Sequence, residues 1–236
     1  DPLTDDCPID LRHLNEDVAG QSGFVRREGD HFVRGDGTRI RFLVGGQDVR
    51  PDMSDRMILE GARRTAKYGF NMIRTGMSFV FHKYWLNGKM DRVDRILDRQ
   101  HFLIHACKQQ GIYSRFRLYL KTNNTRVYLD PEFQQEYLRF AEYVLGKKNP
   151  YTGLSMAQDP AVALITLQNE NNLLFWTFKM ENIEAEERAI IEHRFGEWAA
   201  GKYGSITRAL ESWGPEKSPV MIPGSIVQDR PAEGRL

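Results

Sequence analysis

Four short apolar, β-rich runs alternate with amphipathic helical stretches, and that alternation restricts the chain to α/β folds built on a parallel sheet. The runs are residues 41–44, 70–74, 112–120 and 161–167. Between them, helical spacing is read over residues 52–68, with Met53, Met57, Ile58, Ala62 and Ala66 on one side and Asp52 or Ser54 as cap. It recurs over residues 91–110 through Val93, Ile96, Leu97, Leu103, Ile104 and Cys107, and over residues 131–145 behind Asp130-Pro131. Gly69 and Gly111 stop the first two helices just before a strand. A long helical region, roughly residues 181–203 and 205–213, follows the fourth strand, and the tail after it is rich in proline and glycine. Each crossover is expected to be right-handed. An open doubly wound sheet and a TIM (β/α)₈-type barrel both fit this order. The first strand–helix junction, Val44-Gly-Gly-Gln-Asp48, lacks the dinucleotide fingerprint, and no Walker A sequence occurs, so nucleotide binding is unsupported.

Ahead of the alternation lie a polar, turn-rich lead-in and a small antiparallel cap over residues 24–39. Glu28-Gly29-Asp30 and Gly35-Asp36-Gly37 separate short apolar runs there, as tight hairpins require. The expected division is residues 1–39 as lead-in and β-hairpin cap, and residues 40–236 as a partial barrel domain. Lys plus Arg (33) and Asp plus Glu (32) nearly cancel, so nothing in the global charge points to nucleic acid or an acidic membrane surface. No apolar run is long enough to cross a bilayer. The chain opens Asp1-Pro-Leu-Thr-Asp-Asp6, without a signal peptide. Cys7 and Cys107 allow one disulfide, which nothing requires. The histidines show no metal-ligand spacing, and no metal or other cofactor is expected.

The chemistry concentrates in the fourth run. Ala161-Val-Ala-Leu-Ile-Thr-Leu167 reads as a strand buried on both faces, and it breaks abruptly into Gln168-Asn-Glu-Asn-Asn172. Four amides and a carboxylate make a poor turn. They suit the carboxyl-end rim of a parallel sheet, where α/β proteins place ligands. A glutamate half desolvated at such a rim has its pKa raised and can hold a proton near neutrality.

The order of motifs also resembles a known superfamily. Phe32-Val-Arg-Gly-Asp-Gly-Thr-Arg-Ile-Arg-Phe42 resembles the entry to the barrel of clan A glycoside hydrolases, the retaining β-glycosidases, mannanases and β-galactosidases. Gly69-Phe-Asn-Met-Ile-Arg74 is similar to their second strand. Asn149-Pro-Tyr-Thr-Gly-Leu154, Asp159-Pro-Ala-Val162 and Gln168-Asn-Glu170 are similar to the run into their fourth. The opening residues 9–24, and Phe195-Gly-Glu-Trp198 through Trp213-Gly214, resemble flanking parts, so the likeness covers nearly the whole chain.

That resemblance implies a glycosidase acting with retention of configuration, and a secreted or periplasmic setting. It implies Glu170 as acid/base, Asn169 on the sugar 2-hydroxyl, and Arg74 near the nucleophile or sugar. Retention needs one carboxylic acid to protonate the leaving oxygen and a second carboxylate about 5–5.5 Å away to attack the anomeric carbon. Expected saccharide contacts are Asp48, Tyr119 and Asn171 at strand ends, with Trp85 and Trp176 from the aromatic runs after the second and fourth strands. The chain departs from the family in three ways. It carries four barrel strands rather than eight, so the family's nucleophile on the seventh has no counterpart. Gly46 stands where many members have asparagine. Arg115 and Arg117 place two cations on one side of the third strand. Asp48, Asp130 and Glu181 read as surface or capping carboxylates rather than as nucleophile. The alternative function is a non-catalytic carbohydrate-binding or scaffold protein on the same barrel. Self-association or a second chain completing the sheet is a further expectation, because a half-barrel leaves two strand edges open.

Overall fold

The computed structural model describes residue 4 and residues 10–46, 48–76, 79–118, 120, 126–168 and 183–214. The chain divides into two compact units, residues 1–121 with 136–169, and residues 122–135 with 170–236.

The first unit opens with the expected antiparallel cap, β1 (Arg26–Glu28), β2 (His31–Val33) and β3 (Arg39–Ile40), in the order β1-β2-β3. Glu28 pairs with His31, so Gly29 and Asp30 form a two-residue turn, and Gly29 holds a φ of 61°. Four strands then form a separate sheet: β4 (Val44–Gly46), β5 (Met72–Gly76), β6 (Tyr113–Arg117) and β7 (Val162–Thr166). All neighbours are parallel and the spatial order is the chain order, β4-β5-β6-β7. Sequential parallel strands joined by helices are the first four units of a barrel rather than the reversing order of a doubly wound sheet.

The first barrel strand is shorter than the sequence predicts. Residues 41–43 are not in the ladder but are clasped by Asn71. Its Nδ2 donates to the Arg41 carbonyl (2.8 Å) and its Oδ1 accepts from the Leu43 amide (2.8 Å). The fourth run differs too. Val162 is buried, but Ile165 is 38% and Leu167 62% exposed, because β7 is an outer strand of the described sheet.

Helices α1 (Asp55–Lys67) and α3 (Met90–Lys108) pack on one face of the sheet. Ser54 caps α1 by accepting from the Met57 amide (3.3 Å), and Gly69, at φ 79°, lets the chain turn back into β5. Ile58, Ala62 and Ala66 of α1 meet Phe102, Leu103, Ala106 and Cys107 of α3 over Ile73 and Ile112. Met57 instead lies half exposed. Burial pushes the free Cys107 thiol well above its usual pKa, and Cys7 lies outside the described residues. Between β5 and α3 runs a helix that periodicity did not reveal, α2 (Phe79–Leu86). Its eight residues are hydrophobic nearly all round, so no amphipathic stripe marks it.

A short α4 (Arg126–Leu129) precedes α5 (Pro131–Gly146), which Asp130 caps by accepting from the Phe133 amide (3.0 Å). In the second unit α6 (Ala185–Tyr203) and α7 (Ile206–Trp213) form a helical hairpin. Gly204 turns it at φ 85°, and Ser205 caps α7 by accepting from the Arg208 amide (3.1 Å). Ala199 and Ala209 are buried between the two, flanked by Phe195, Leu210 and Trp213. No described helix is long and apolar enough to cross a membrane.

Candidate functional site

Residues alternate across a strand, so the two faces of the sheet carry different chemistry. Ile73 and Thr75 face the helices. Ile73 joins the α1–α3 core, and Thr75 donates its hydroxyl to Gln100 Oε1 of α3 (2.9 Å). Gln100 Nε2 donates in turn to the Gly76 carbonyl (2.9 Å), pinning the carboxyl end of β5. The opposite face of β5 and β6 therefore presents Met72, Arg74 and Gly76, then Tyr113, Arg115 and Arg117. In register, Gly46, Arg74, Arg115 and Leu164 form one row, and Gly76, Arg117 and Thr166 form the next.

This second face changes character along the strands. At its amino end Met72 and Tyr113 are covered by Ala19, Ile40 and Phe42. The lead-in seals that end further. Asn15 Nδ2 donates to the Phe70 and Gln110 carbonyls (3.0 and 3.3 Å), and the Ala19 amide donates to the Lys108 carbonyl (2.9 Å). A Cβ on Gly111 would stand 1.8 Å from the Glu16 carbonyl oxygen, so the lead-in runs directly against this turn. Tyr113 donates its hydroxyl to Glu16, whose carboxylate also accepts from Ser22 (3.1 Å) and pairs with Arg34 (3.3 Å). Burial first, and then the Glu16 carboxylate, push the Tyr113 phenol up to about 12. The amino end of this face is thus closed, and its charged residues lie towards the carboxyl rim.

At that rim the row is basic. Arg74, expected near the sugar, is half-buried in β5, on the face away from the helices and registered against Arg115. Arg115 Nε donates to Thr166 Oγ1 (3.1 Å), and Arg117 Nη2 lies 3.6 Å from Asp48 Oδ1. Asp48, an expected saccharide contact, is thus an exposed carboxylate beside Arg117. Trp85 lies in α2, with its ring on Phe140 and Tyr143 of α5 (both 5.4 Å) and its Nε1 donating to Glu136 (2.5 Å). Asn169, Glu170, Asn171, Tyr119 and Trp176, together with Glu181 and the tail, lie outside the described residues. Sequence reading gave no role to Gly76, Gln100 or Thr166. The signal for the first was available, since Arg-Thr-Gly follows an apolar run where a strand meets its rim.

A second polar cluster lies on the helix layer. Asp94, Asp98 and His101 of α3, with Lys147, Lys148 and Pro150, line a cavity of about 330 Å³. Lys147 pairs with Asp94 (2.5 Å), which also accepts from the Tyr143 hydroxyl. Desolvation lowers His101 to about 4, with Asp98 opposing the shift. Among the described residues, no group of three His, Cys, Asp or Glu side chains could hold a metal ion.

No family model matches the sequence, and no curated protein matches it significantly. Solved structures do. An endo-1,4-beta-mannanase from Rhizomucor miehei superposes with a TM-score of 0.53 at 16% identity, over 75% of this chain and 56% of that chain. An endo-beta-1,4-mannanase from Thermotoga petrophila gives 0.45 at 18% identity, over 70% of this chain and 40% of that one. This chain thus spans little more than half of the Rhizomucor enzyme. The likeness is one of fold, and the α/β barrel architecture implied by the resemblance to clan A glycoside hydrolases is the one this chain adopts over its four parallel strands.

Proposed function

We propose that this protein is a glycoside hydrolase that cleaves β-linked oligo- or polysaccharides by retaining double displacement, with Glu170 as acid/base. The observation that carries the reading is the course of β7. It runs parallel to β6 and ends at Thr166, in register with Arg117, four residues before Glu170. The sequence thus delivers an Asn-Glu pair directly after a strand that ends at the arginine-bearing rim. In this reading Glu170 protonates the departing oxygen and then, as carboxylate, draws a proton from the incoming water. Asn169 holds the sugar 2-hydroxyl, and Arg74 orients the second carboxylate or the sugar. Asp48, Tyr119, Asn171, Trp85 and Trp176 are the proposed substrate contacts. The nucleophile is assigned to none of these 236 residues. The shared fold with a mannanase supports a saccharide substrate by analogy of fold.

The test compares glycosides with poor and with activated leaving groups. In an enzyme that also carries the nucleophile, Glu170→Gln should depress turnover of the poor leaving groups far more than that of activated aryl glycosides. Equal loss on both refutes the acid role. Saccharide binding with no turnover on either leaves the second reading, a carbohydrate-binding or scaffold protein. The outer strands favour one addition to the proposal. Leu43 beside β4 is 55% exposed and Leu167 beside β7 62%, so both edges offer apolar pairing surface to a second copy or chain. A concentration-independent monomer in sedimentation would remove that addition.

A further inference from the structure

We infer that the cavity between α3 and the turn after α5 is a second binding site, for a neutral, polyhydroxylated ligand the size of a single sugar ring. It encloses about 330 Å³, and α3 supplies one wall through Asp94, Leu97, Asp98 and His101. That volume is at the low end of small-molecule pockets, about 300–1,000 Å³, and suits one ring rather than a chain. Its lining shares no residue with the contacts proposed at the rim, so the inference stands apart from the glycosidase reading. The observation that points to a ligand is His101. This residue is 2% exposed, and its Nε2 is buried without a hydrogen-bond partner. Buried polar atoms are nearly always satisfied, so an orphan on a cavity wall calls for a partner that enters the cavity. The charges acting on the ring are those of Asp98 and Lys147, and both border the same cavity. Burial lowers the imidazole to about 4, so near neutrality Nε2 donates or accepts according to tautomer. A hydroxyl serves either need.

The walls are held in place by hydrogen bonds of their own. Asn149 donates Nδ2 to the His101 carbonyl (3.0 Å) and accepts from the Tyr151 amide (2.9 Å), which fixes the turn against α3. Asp98 accepts from the Tyr151 hydroxyl (2.9 Å), and Asp94 from the Tyr143 hydroxyl. Each carboxylate also has a cation beside it, Lys147 at 2.5 Å from Asp94 and Arg99 at 2.8 Å from Asp98. No ligand cation is needed to neutralise them, and two carboxylates on one wall repel an anion. A neutral ligand is what remains. Both bonds to Asp94 fall on Oδ1, so its Oδ2 is placed to accept from a ligand hydroxyl. Lys148, exposed at the mouth, donates to another. Leu97 and Pro150 supply the apolar lining against which the C–H face of a ring packs.

The experiment titrates the full chain with D-glucose, D-mannose, glucuronate and glucosamine while proton–carbon NMR spectra follow the histidine rings. The His101 signal is the one absent from His101→Gln. Glucose or mannose should shift that signal saturably, with a dissociation constant in the millimolar range. His101→Phe should weaken the same sugar about tenfold, the scale of one lost hydrogen bond. Lys148→Met should weaken it several-fold, and because Lys148 is exposed this variant carries the test if His101→Phe does not fold, as circular dichroism will tell. Tighter binding of glucuronate or glucosamine at His101 overturns the neutral ligand. A His101 signal that neither neutral sugar moves overturns the site, and so does an affinity that both variants leave unchanged. Each of these failures leaves the reading of the rim intact, since none of them touches turnover or Glu170.

Discussion

Gln100 is the side chain through which the helix layer holds the rim. It is 1% exposed, accepts from the Thr75 hydroxyl at 2.9 Å and donates to the Gly76 carbonyl at 2.9 Å. Thr75 is fully buried, so no water is at hand to replace either bond. Gln100→Leu keeps the volume roughly constant and removes both partners. Two hydrogen bonds of about 1 kcal/mol each are lost, and the stranded groups add a desolvation penalty, for a total of about 2–4 kcal/mol. Thr75→Val alone should cost about 1–2 kcal/mol, since it strands one acceptor of Gln100. The double variant should cost less than the sum by about 1 kcal/mol, because it removes both ends of one bond and leaves only the Gly76 carbonyl unpaired. Urea unfolding followed by circular dichroism measures all three. With a slope of about 2 kcal/mol per molar, the Gln100→Leu midpoint should fall by about 1–2 M. A Gln100→Leu midpoint within experimental error of the parent, or strict additivity in the cycle, would refute the idea that this amide pins the end of β5.

Three further outcomes follow from geometry and charge. The unfolded chain protonates His101 near its ordinary value of 6.5, whereas the folded chain resists protonation down to about 4. The unfolded state therefore binds more protons in that window, and stability falls as pH drops through it by about 1–2 kcal/mol. His101→Gln should flatten that part of the stability–pH curve, and an unchanged slope counts against a buried neutral imidazole. Gly111 sits at φ 68° with the Glu16 carbonyl where a Cβ would go. Gly111→Ala should accordingly cost about 2–4 kcal/mol in thermal or urea unfolding, and a near-neutral effect would mean that the lead-in does not press on this turn. In an enzyme that also carries the nucleophile, removing the whole proton donor by Glu170→Ala should abolish turnover of poor leaving groups, with partial rescue by added azide on activated glycosides. Retained turnover of the poor leaving groups would assign the proton transfer elsewhere.

Much of the architecture is legible because its signals are local. Short apolar, β-rich runs specify strands, spacing of three and four specifies α1, α3 and α5, and Gly69 and Gly111 stop α1 and α3 where the backbone takes a positive φ. The hairpin turn at Gly29-Asp30 is fixed by the same rule. Periodicity fails where burial is uniform. The residues of α2 are apolar nearly all round, so they read only as an aromatic run with no helical stripe. It also fails where a side chain substitutes for the ladder, as Asn71 does for residues 41–43.

The sequence by itself determined the strand–helix alternation, the helix stops and the identity of the charged residues along β6. Covalent neighbours and short-range sterics decide those, and they act over a few residues. Only the tertiary structure decided which charges share a face and how the lead-in closes the amino end of the sheet. Glu16 meets Tyr113 across 97 residues, and Asn15 meets Gln110 across 95, closing the amino end. Arg74 meets Arg115 through strand register alone. Such long-range juxtapositions depend on how elements dock, and docking is set by the buried surface of the whole sheet rather than by any stretch of it.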